Sequence, residues 1–504
     1  MSSLLLLGIA LAACIWAHRA SAGGRLPARG RRLADLCAAA FLAIPLLPVY
    51  LLTGRFYASL FLVCLFILVI FTIDRAKRSV LAGEPLVWSD ATFAGQVFRT
   101  PGLYFLYLPW RPMLACLTAL LVVLALLCRA GEPAPSRPLA ALAAASLPWA
   151  CWKLAQTAPG RELAARICTC FKPSFDPKQD AASFGLLGAA LLHLLDTLPR
   201  RAQAPSPAAK APEGTIWPAA VLARKQSRPD IVLVQSESFC DPRRFRSDIP
   251  AGVLEGYDDI LDSSVSGNLL VTAVGAYTMR TEHSVLTGRD PSVLRADAFN
   301  PYLPAQKRPV WSLAWHLKRQ GWDTICVHPF YKTFFRRDLV LPYLGFDTFL
   351  SMDELGFLPK FGPHASDTAL AQWTADYIKA SARPVFCFVI TMENHGPWSV
   401  RRFAAGEERQ ASFERGQLPE DLWQYLVHLE QESRAIDLMR RAMTDSGREG
   451  VLALYGDHQP ILPSLDSRGD TSTPYFIWKT GNLPACRKNL TPEELGGEIL
   501  SLIA

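Results

Sequence analysis

Five apolar runs crowd the N-terminal third of the chain, at about 3–17, 33–53, 57–73, 111–128 and 137–156. Each is near the roughly 17–25 residues that cross a hydrocarbon core. Such runs have to be placed in lipid, and the rest of the chain must fold around that constraint. A weaker run, "AASFGLLGAALLHLLDTL" (181–198), carries His193 and Asp196 and reads as a sixth span or as a helix lying on the surface, with the span favoured. The chain is 50% hydrophobic over 504 residues, but the excess lies in this first part. Residues 230–504 have the texture of a globular domain. The expected organisation is a transmembrane domain of five to six helices (1–198), a linker (199–229) and a catalytic domain (230–504). "PRRAQAPSPAAKAPEG" (199–214) is the Pro- and Ala-rich core of that linker.

The net charge of +7 sits largely beside the apolar runs. Arg19, Arg25, Arg29, Arg31 and Arg32, and then Arg75, Lys77 and Arg78, mark cytoplasmic loops by the positive-inside rule. The N-terminus then starts outside. Six spans deliver the globular part outside, whereas five would leave it in the cytoplasm. The expectation is a multi-pass protein of a bacterial cytoplasmic (inner) membrane with its catalytic domain on the extracytoplasmic, periplasmic side. No basic face with interleaved aromatics stands out, so no nucleic-acid partner is expected. Of the 12 cysteines, six lie in apolar runs and read as small packing residues. The Cys168-x-Cys170 pair is too little for a zinc site.

After residue 230 the pattern changes. "DIVLVQ" (230–235), "DTICVHPF" (323–330), "PVFCFVITM" (384–392) and "GVLALYG" (450–456) are apolar throughout, as buried parallel strands are. Helical patterns lie between them, including "VWSLAWHLKRQG" (310–321) and the Leu422, Leu426, Leu429, Ile436, Met439 series. This alternation predicts an α/β domain with a doubly wound, mostly parallel sheet.

Ligands of such sheets bind at the carboxyl ends of the strands. The first strand ends at Glu237 and the second at His328. The third runs into Glu393 and His395, the fourth into Asp457 and His458. One such residue is more often a satisfied structural group. Four strand ends sharing one rim favour chemistry. Glu237, Asp457 and His458, with one hydroxyl, make an O/N donor set suited to Mn²⁺, Mg²⁺ or Zn²⁺. In "VTAVGAYTMRTEHSVLTG" (271–288), Thr278 follows Gly275 and opens a helix, whose first N–H groups favour phosphate. A metal would also activate its hydroxyl as a nucleophile. Arg337 and His395 are candidates for the remaining phosphate oxygens. Arg280 and Glu282 read as supports of the Thr278 loop. His283, His316, His364 and His428 read as structural or surface residues.

Taken in order, "VQSESF", "GAYTMRTEHSVLTG", "HPFYKTFFRRD", "TMENHGPW" and "YGDHQP" resemble the lipoteichoic acid synthase-like phosphoglycerol transferases of the alkaline phosphatase/sulfatase superfamily. The resemblance covers roughly residues 230–480. It implies a sulfatase-like fold, Thr278 as nucleophile, and one divalent metal, usually manganese, on Glu237, Thr278, Asp457 and His458. Substrate contacts fall on His328, Phe335, Arg337 and His395, with His395 also catalytic. At Phe335 the family has a tryptophan, so the indole N–H is lost. The implied donor is phosphatidylglycerol, and the implied acceptor is an envelope glycan, glycolipid or polymer. A phosphoethanolamine transferase is the runner-up, and a non-catalytic lipid- or glycan-binding protein is the rival outside enzymology. Sulfate-ester hydrolysis is disfavoured: sulfatases need C/S-x-P-x-R, and the matching stretch here is T-M-R-T.

Overall fold

The chain divides into two compact units, Met1–Gln203 and Ala204–Ala504. The computed structural model describes residues 3–21, 26–99, 110–129, 134–201, 215–218, 221–222, 228–273, 275–398, 402–404, 406–465, 470–481 and 483–503. Most of the Pro/Ala-rich stretch at 199–214 lies outside the described residues.

In the first unit, four helices among the described residues are long and apolar enough to cross a membrane: Ser3–Ala20, Ala28–Thr53, Phe56–Val80 and Pro177–Arg201. The runs at 111–128 and 137–156 form the helices Trp110–Arg129 and Pro138–Ala155. The second of them carries Pro148 and Lys153. The weak sixth run lies within Pro177–Arg201, and its polar groups are paired internally. His193 and Asp180 meet at 2.6 Å, both buried, and Asp196 holds Arg200 at 2.7 Å. This helix breaks at Gly185, whose φ of 69° is left-handed. A Cβ there would collide with the His18 imidazole. His18 Nε2 accepts the Leu187 amide at 2.8 Å, satisfying a backbone donor freed by the break. Cys168 is buried and Cys170 exposed, and the described cysteines are free thiols.

The second unit is built on an eight-stranded sheet. Its strands are β1 (Asp230–Ser236), β2 (Ser264–Leu270), β3 (Asp323–Val327), β4 (Thr348–Leu350), β7 (Val385–Ile390), β8 (Gly450–Gly456), β9 (Ser472–Lys479) and β10 (Cys486–Arg487). A two-residue hairpin, β5 (Lys360–Phe361) and β6 (His364–Ala365), stands apart. The sheet order is β10-β2-β9-β8-β1-β7-β3-β4. From β8 to β4 all neighbours are parallel, while β9 runs antiparallel to both β8 and β2.

Every residue of β1, β7 and β8 is buried. That is why these segments carry apolar side chains on both faces rather than alternating ones. Helices Asp367–Ala380 and Glu420–Asp445 cover one face, packing Leu370, Leu426, Leu429 and Ile436 against Val232, Val389 and Leu454. The chain segment before β1 joins this unit as well. Trp217 is buried, its Nε1 donates to the Glu493 carbonyl at 2.6 Å, and its ring lies 5.2 Å from that of Trp311.

Candidate active site

Four neighbouring parallel strands, β8, β1, β7 and β3, point their carboxyl ends to one rim, and each is followed by chemistry-bearing residues. β1 leads directly into Glu237 and β8 into Asp457 and His458. Because β1 and β8 pair in register up to Ser236 and Gly456, the two acids emerge side by side. Glu237, Asp457 and His458 are all buried, and each offers a ligand atom within 4.8 Å of the others.

The donors in this group leave room for a cation. Asp457 Oδ1 accepts the amides of Ser238 and His458, both at 2.8 Å. Among the described residues its buried Oδ2 has no hydrogen-bond donor, and it faces His458 Nε2 at 3.3 Å. His458 Nδ1 lies 3.2 Å from the Gln459 carbonyl, which can only accept. The ring proton therefore sits on Nδ1, and Nε2 presents a lone pair. Glu237 Oε1 is 3.8 Å from that same Nε2. Burial, and then the Asp457 charge, hold the Glu237 carboxyl well above the usual carboxylate range. Lone pairs from two carboxylates and one imidazole converging in a buried space fit a divalent ion with O/N preference.

Thr278 is the first residue of the helix Thr278–Thr287 and is buried. Two left-handed residues deliver the chain to it, Gly275 (φ 63°) and Tyr277 (φ 63°). A Cβ at Gly275 would run into the Ile461 side chain, so this turn needs glycine on both counts. Tyr277 is held in its conformation by Arg280, whose guanidinium carbon lies 4.0 Å from the ring centre. Arg280 Nε also donates to the Phe299 carbonyl at 3.1 Å. One turn beyond Thr278, on the same face, Thr281 Oγ1 donates to the Asp457 carbonyl at 2.9 Å. That bond ties the Thr278 helix to the loop carrying Asp457 and His458.

His328 and Arg337 come together, with Arg337 Nη1 3.2 Å from His328 Nε2. His328 Nδ1 lies 3.1 Å from the Ile390 carbonyl, which fixes its proton on Nδ1 and makes Nε2 the acceptor from Arg337. Phe335 and Arg336 are consecutive left-handed residues (φ 51° and 57°). This costly backbone sets the Phe335 ring 5.3 Å from the Arg337 guanidinium. Arg336 is turned outward, 3.4 Å from Asp338.

His395 is half-buried, and its Nδ1 sits 2.8 Å from the Gly396 carbonyl, again leaving Nε2 as the free ring atom. Burial, with Arg402 nearby, lowers its pKa to about 4, so the ring is neutral. His364, on β6, is half-buried with its ring 6.1 Å from that of His395. Sequence reading left His364 as a structural or surface residue. The signal that could have flagged it, its place beside His395, exists only after the hairpin folds.

Glu393, read as a rim acid, turns away from this group. It is fully buried and meets His428 Nδ1 at 3.0 Å, while accepting the Asp367 amide at 2.7 Å. Burial raises its carboxyl to about 8 and lowers His428 to about 3, so the pair is neutral. A carboxyl raised in the folded state contributes stability that is complete below its unfolded value and lost as pH rises through about 8. Glu393→Gln copies the neutral form. Thermal unfolding between pH 5 and 9 should therefore show a shallower decline in the variant, with stability at pH 8 at least equal to the parent. A decline as steep as the parent's would mean Glu393 is ionised. Some slope should remain, because burial also raises the neighbouring Glu432, to about 7.

A mostly parallel sheet with acid and imidazole groups at adjacent strand ends, beside a helix opened by a hydroxyl, is a sulfatase-like architecture. The comparisons agree. The sulfatase family profile matches residues 229–500, and the chain belongs to that family. Over part of its length the chain is also similar to lipoteichoic acid synthases. The capsular polysaccharide biosynthesis protein RkpI of Rhizobium meliloti is 30% identical over 455 residues, covering 87% of this chain and 79% of that protein. A lipoteichoic acid synthase of Staphylococcus saprophyticus is 27% identical over 154 residues, 29% of this chain and 22% of that protein. Among solved structures, the Streptococcus pyogenes phosphoglycerol transferase GacH in complex with sn-glycerol-1-phosphate matches with a TM-score of 0.45 at 20% identity, covering 58% of this chain and 83% of that one.

Proposed function

We propose that the protein is a phosphoglycerol transferase that moves glycerophosphate from phosphatidylglycerol to an envelope glycan through a covalent intermediate on Thr278. The observation that carries this reading is the bond from Thr281 to the Asp457 carbonyl. It joins the helix opened by Thr278 to the cluster of Glu237, Asp457 and His458. A divalent ion held there, most simply Mn²⁺, would lower the pKa of the Thr278 hydroxyl and offset phosphoryl charge.

In the first step Thr278 Oγ attacks phosphorus, the bond from phosphorus to the diacylglycerol oxygen breaks, and the threonine proton passes to the departing diacylglycerol. In the second step an acceptor hydroxyl attacks the same phosphorus, the bond to Thr278 breaks, and the acceptor's proton returns to threonine. His395 is suited to carry the proton both times. Gly396 holds its Nδ1–H, and its Nε2 can take up a proton that a pKa of about 4 makes it quick to release. Arg337 supplies positive charge to the phosphoryl oxygens, and Phe335 gives an apolar wall beside it. T-M-R-T in place of C/S-x-P-x-R argues for phosphoryl transfer over sulfate hydrolysis within this family. The name of the Rhizobium relative favours a polysaccharide-type acceptor. The apolar helices favour an inner-membrane enzyme with its catalytic unit in the periplasm. A reporter fused after residue 230 should be active only outside the cytoplasm.

Mass spectrometry of the full chain incubated in detergent with phosphatidylglycerol tests the reaction. A glycerophosphoryl adduct on the Thr278 peptide is expected. Phe335, lacking an indole N–H, keeps phosphatidylethanolamine in view as donor. An ethanolamine-bearing adduct, with none from phosphatidylglycerol, would replace the donor proposed here.

A further inference from the structure

We infer that Glu282 is a positioning residue that aims Arg337 at the phosphoryl group bound by the nucleophile. The inference rests on the phosphotransfer reading above. Glu282 lies four residues after Thr278, one turn along the same helix face. It is fully buried, and its carboxylate collects several donors. Arg337 Nε reaches Oε1 at 3.3 Å and Nη2 reaches Oε2 at 2.6 Å. Gln235 Nε2 donates to Oε2 at 3.2 Å, and the Tyr302 hydroxyl donates to Oε1. Gln235 is itself held by the Tyr455 hydroxyl, from the neighbouring strand β8.

The arrangement exceeds what stability requires. A buried ion pair is weak evidence for stability, because an apolar pair of similar volume is often as good. What the pair fixes is direction. Of the five guanidinium N–H groups, three are engaged: Nε–H, one on Nη2 with Glu282, and one on Nη1 with His328. One hydrogen on each terminal nitrogen is left beyond these three bonds, a donor for a phosphate oxygen. The same rigid turn of helix thus carries the attacking oxygen at one end and the anchor of the anion-binding cation at the other. His328 completes the clamp from the far side, itself held by the Ile390 carbonyl. Glu282 touches no substrate in this scheme and acts through Arg337.

The test uses the full chain in detergent with Mn²⁺. Two readouts are compared: KM against kcat for phosphatidylglycerol, and the affinity of sn-glycerol-1-phosphate measured by calorimetry. Glu282→Asp keeps the charge but pulls it back by one methylene. The expected result is a rise of about tenfold in KM and a matching loss of glycerol-phosphate affinity, with kcat changed less. In an Arg337→Met background the same change should cost nothing further, because the route through Arg337 is already gone. Glu282→Asp with unaltered KM and affinity overturns the inference, and so does an equal loss in the Arg337→Met background. Should Glu282→Asp fold poorly, Glu282→Gln is read in the same way on its folded fraction. If the parent chain transfers nothing yet binds glycerol phosphate, the binding comparison alone decides the role of Glu282. Failure of the transfer reading is thereby told apart from failure of this one.

Discussion

Thr278→Ala should abolish transfer, with a fall of at least about 10³-fold in kcat/KM and no phosphoryl adduct by mass spectrometry. The loss is expected to be this large because the reaction as proposed passes through a covalent bond to that one oxygen. Nothing in the neighbouring stretch offers a substitute placed the same way. Thr281 already donates to the Asp457 carbonyl, and Ser284 lies further along the helix interior. The fold should survive, since Thr278 makes the first helical residue and alanine is a good helix former. Thermal unfolding of Thr278→Ala should thus stay close to the parent while activity vanishes. Thr278→Ser keeps the hydroxyl and should retain part of the rate. Full activity in Thr278→Ala would sink the covalent mechanism and would favour a protein that only binds its lipid or glycan.

Metal removal is the second large effect. Chelation should stop transfer, and added Mn²⁺ should restore it. Saturating metal should also stabilise the catalytic unit, by about 2.7 kcal/mol at a hundredfold excess over Kd. Asp457→Asn should remove that gain and the activity together. Asp457 supplies an unpartnered buried oxygen, and an amide there turns an anionic ligand into a neutral one. The pH dependence has a definite sign. Without a cation, burial and the Asp457 charge hold the Glu237 carboxyl protonated above its usual range. Metal must displace that proton, so affinity should rise with pH and the metal-dependent gain should shrink towards acid. A Tm that does not respond to Mn²⁺ in the parent chain would remove the metal from the account.

Several local features were readable without any coordinates. "DIVLVQ" announces a strand buried on both faces because no polar side chain interrupts it, and β1 is that strand. "VWSLAWHLKRQG" announces its own end, and Gly321 closes the helix with φ 104°. Other elements gave no such signal. β2 mixes buried, half-buried and exposed residues with a glycine in the middle, and β9 opens on Ser-Thr-Pro. Their antiparallel pairing, which makes the sheet mixed on that side, is an agreement between segments some two hundred residues apart.

The sequence by itself determined the apolar helices, the parallel core strands and the identity of the residues at their carboxyl ends. Those follow from local periodicity and from the rule that a strand's end faces the rim. Only the tertiary structure decided what each rim residue faces. It brought Glu237, Asp457 and His458 within one ligand sphere and turned Glu393 aside to His428. It also set His364 beside His395 and joined Glu282 to Arg337 across 55 residues of chain. The reason is physical: a carboxylate's function depends on which donors surround it once water is excluded, and those donors come from distant segments that meet only in the folded chain.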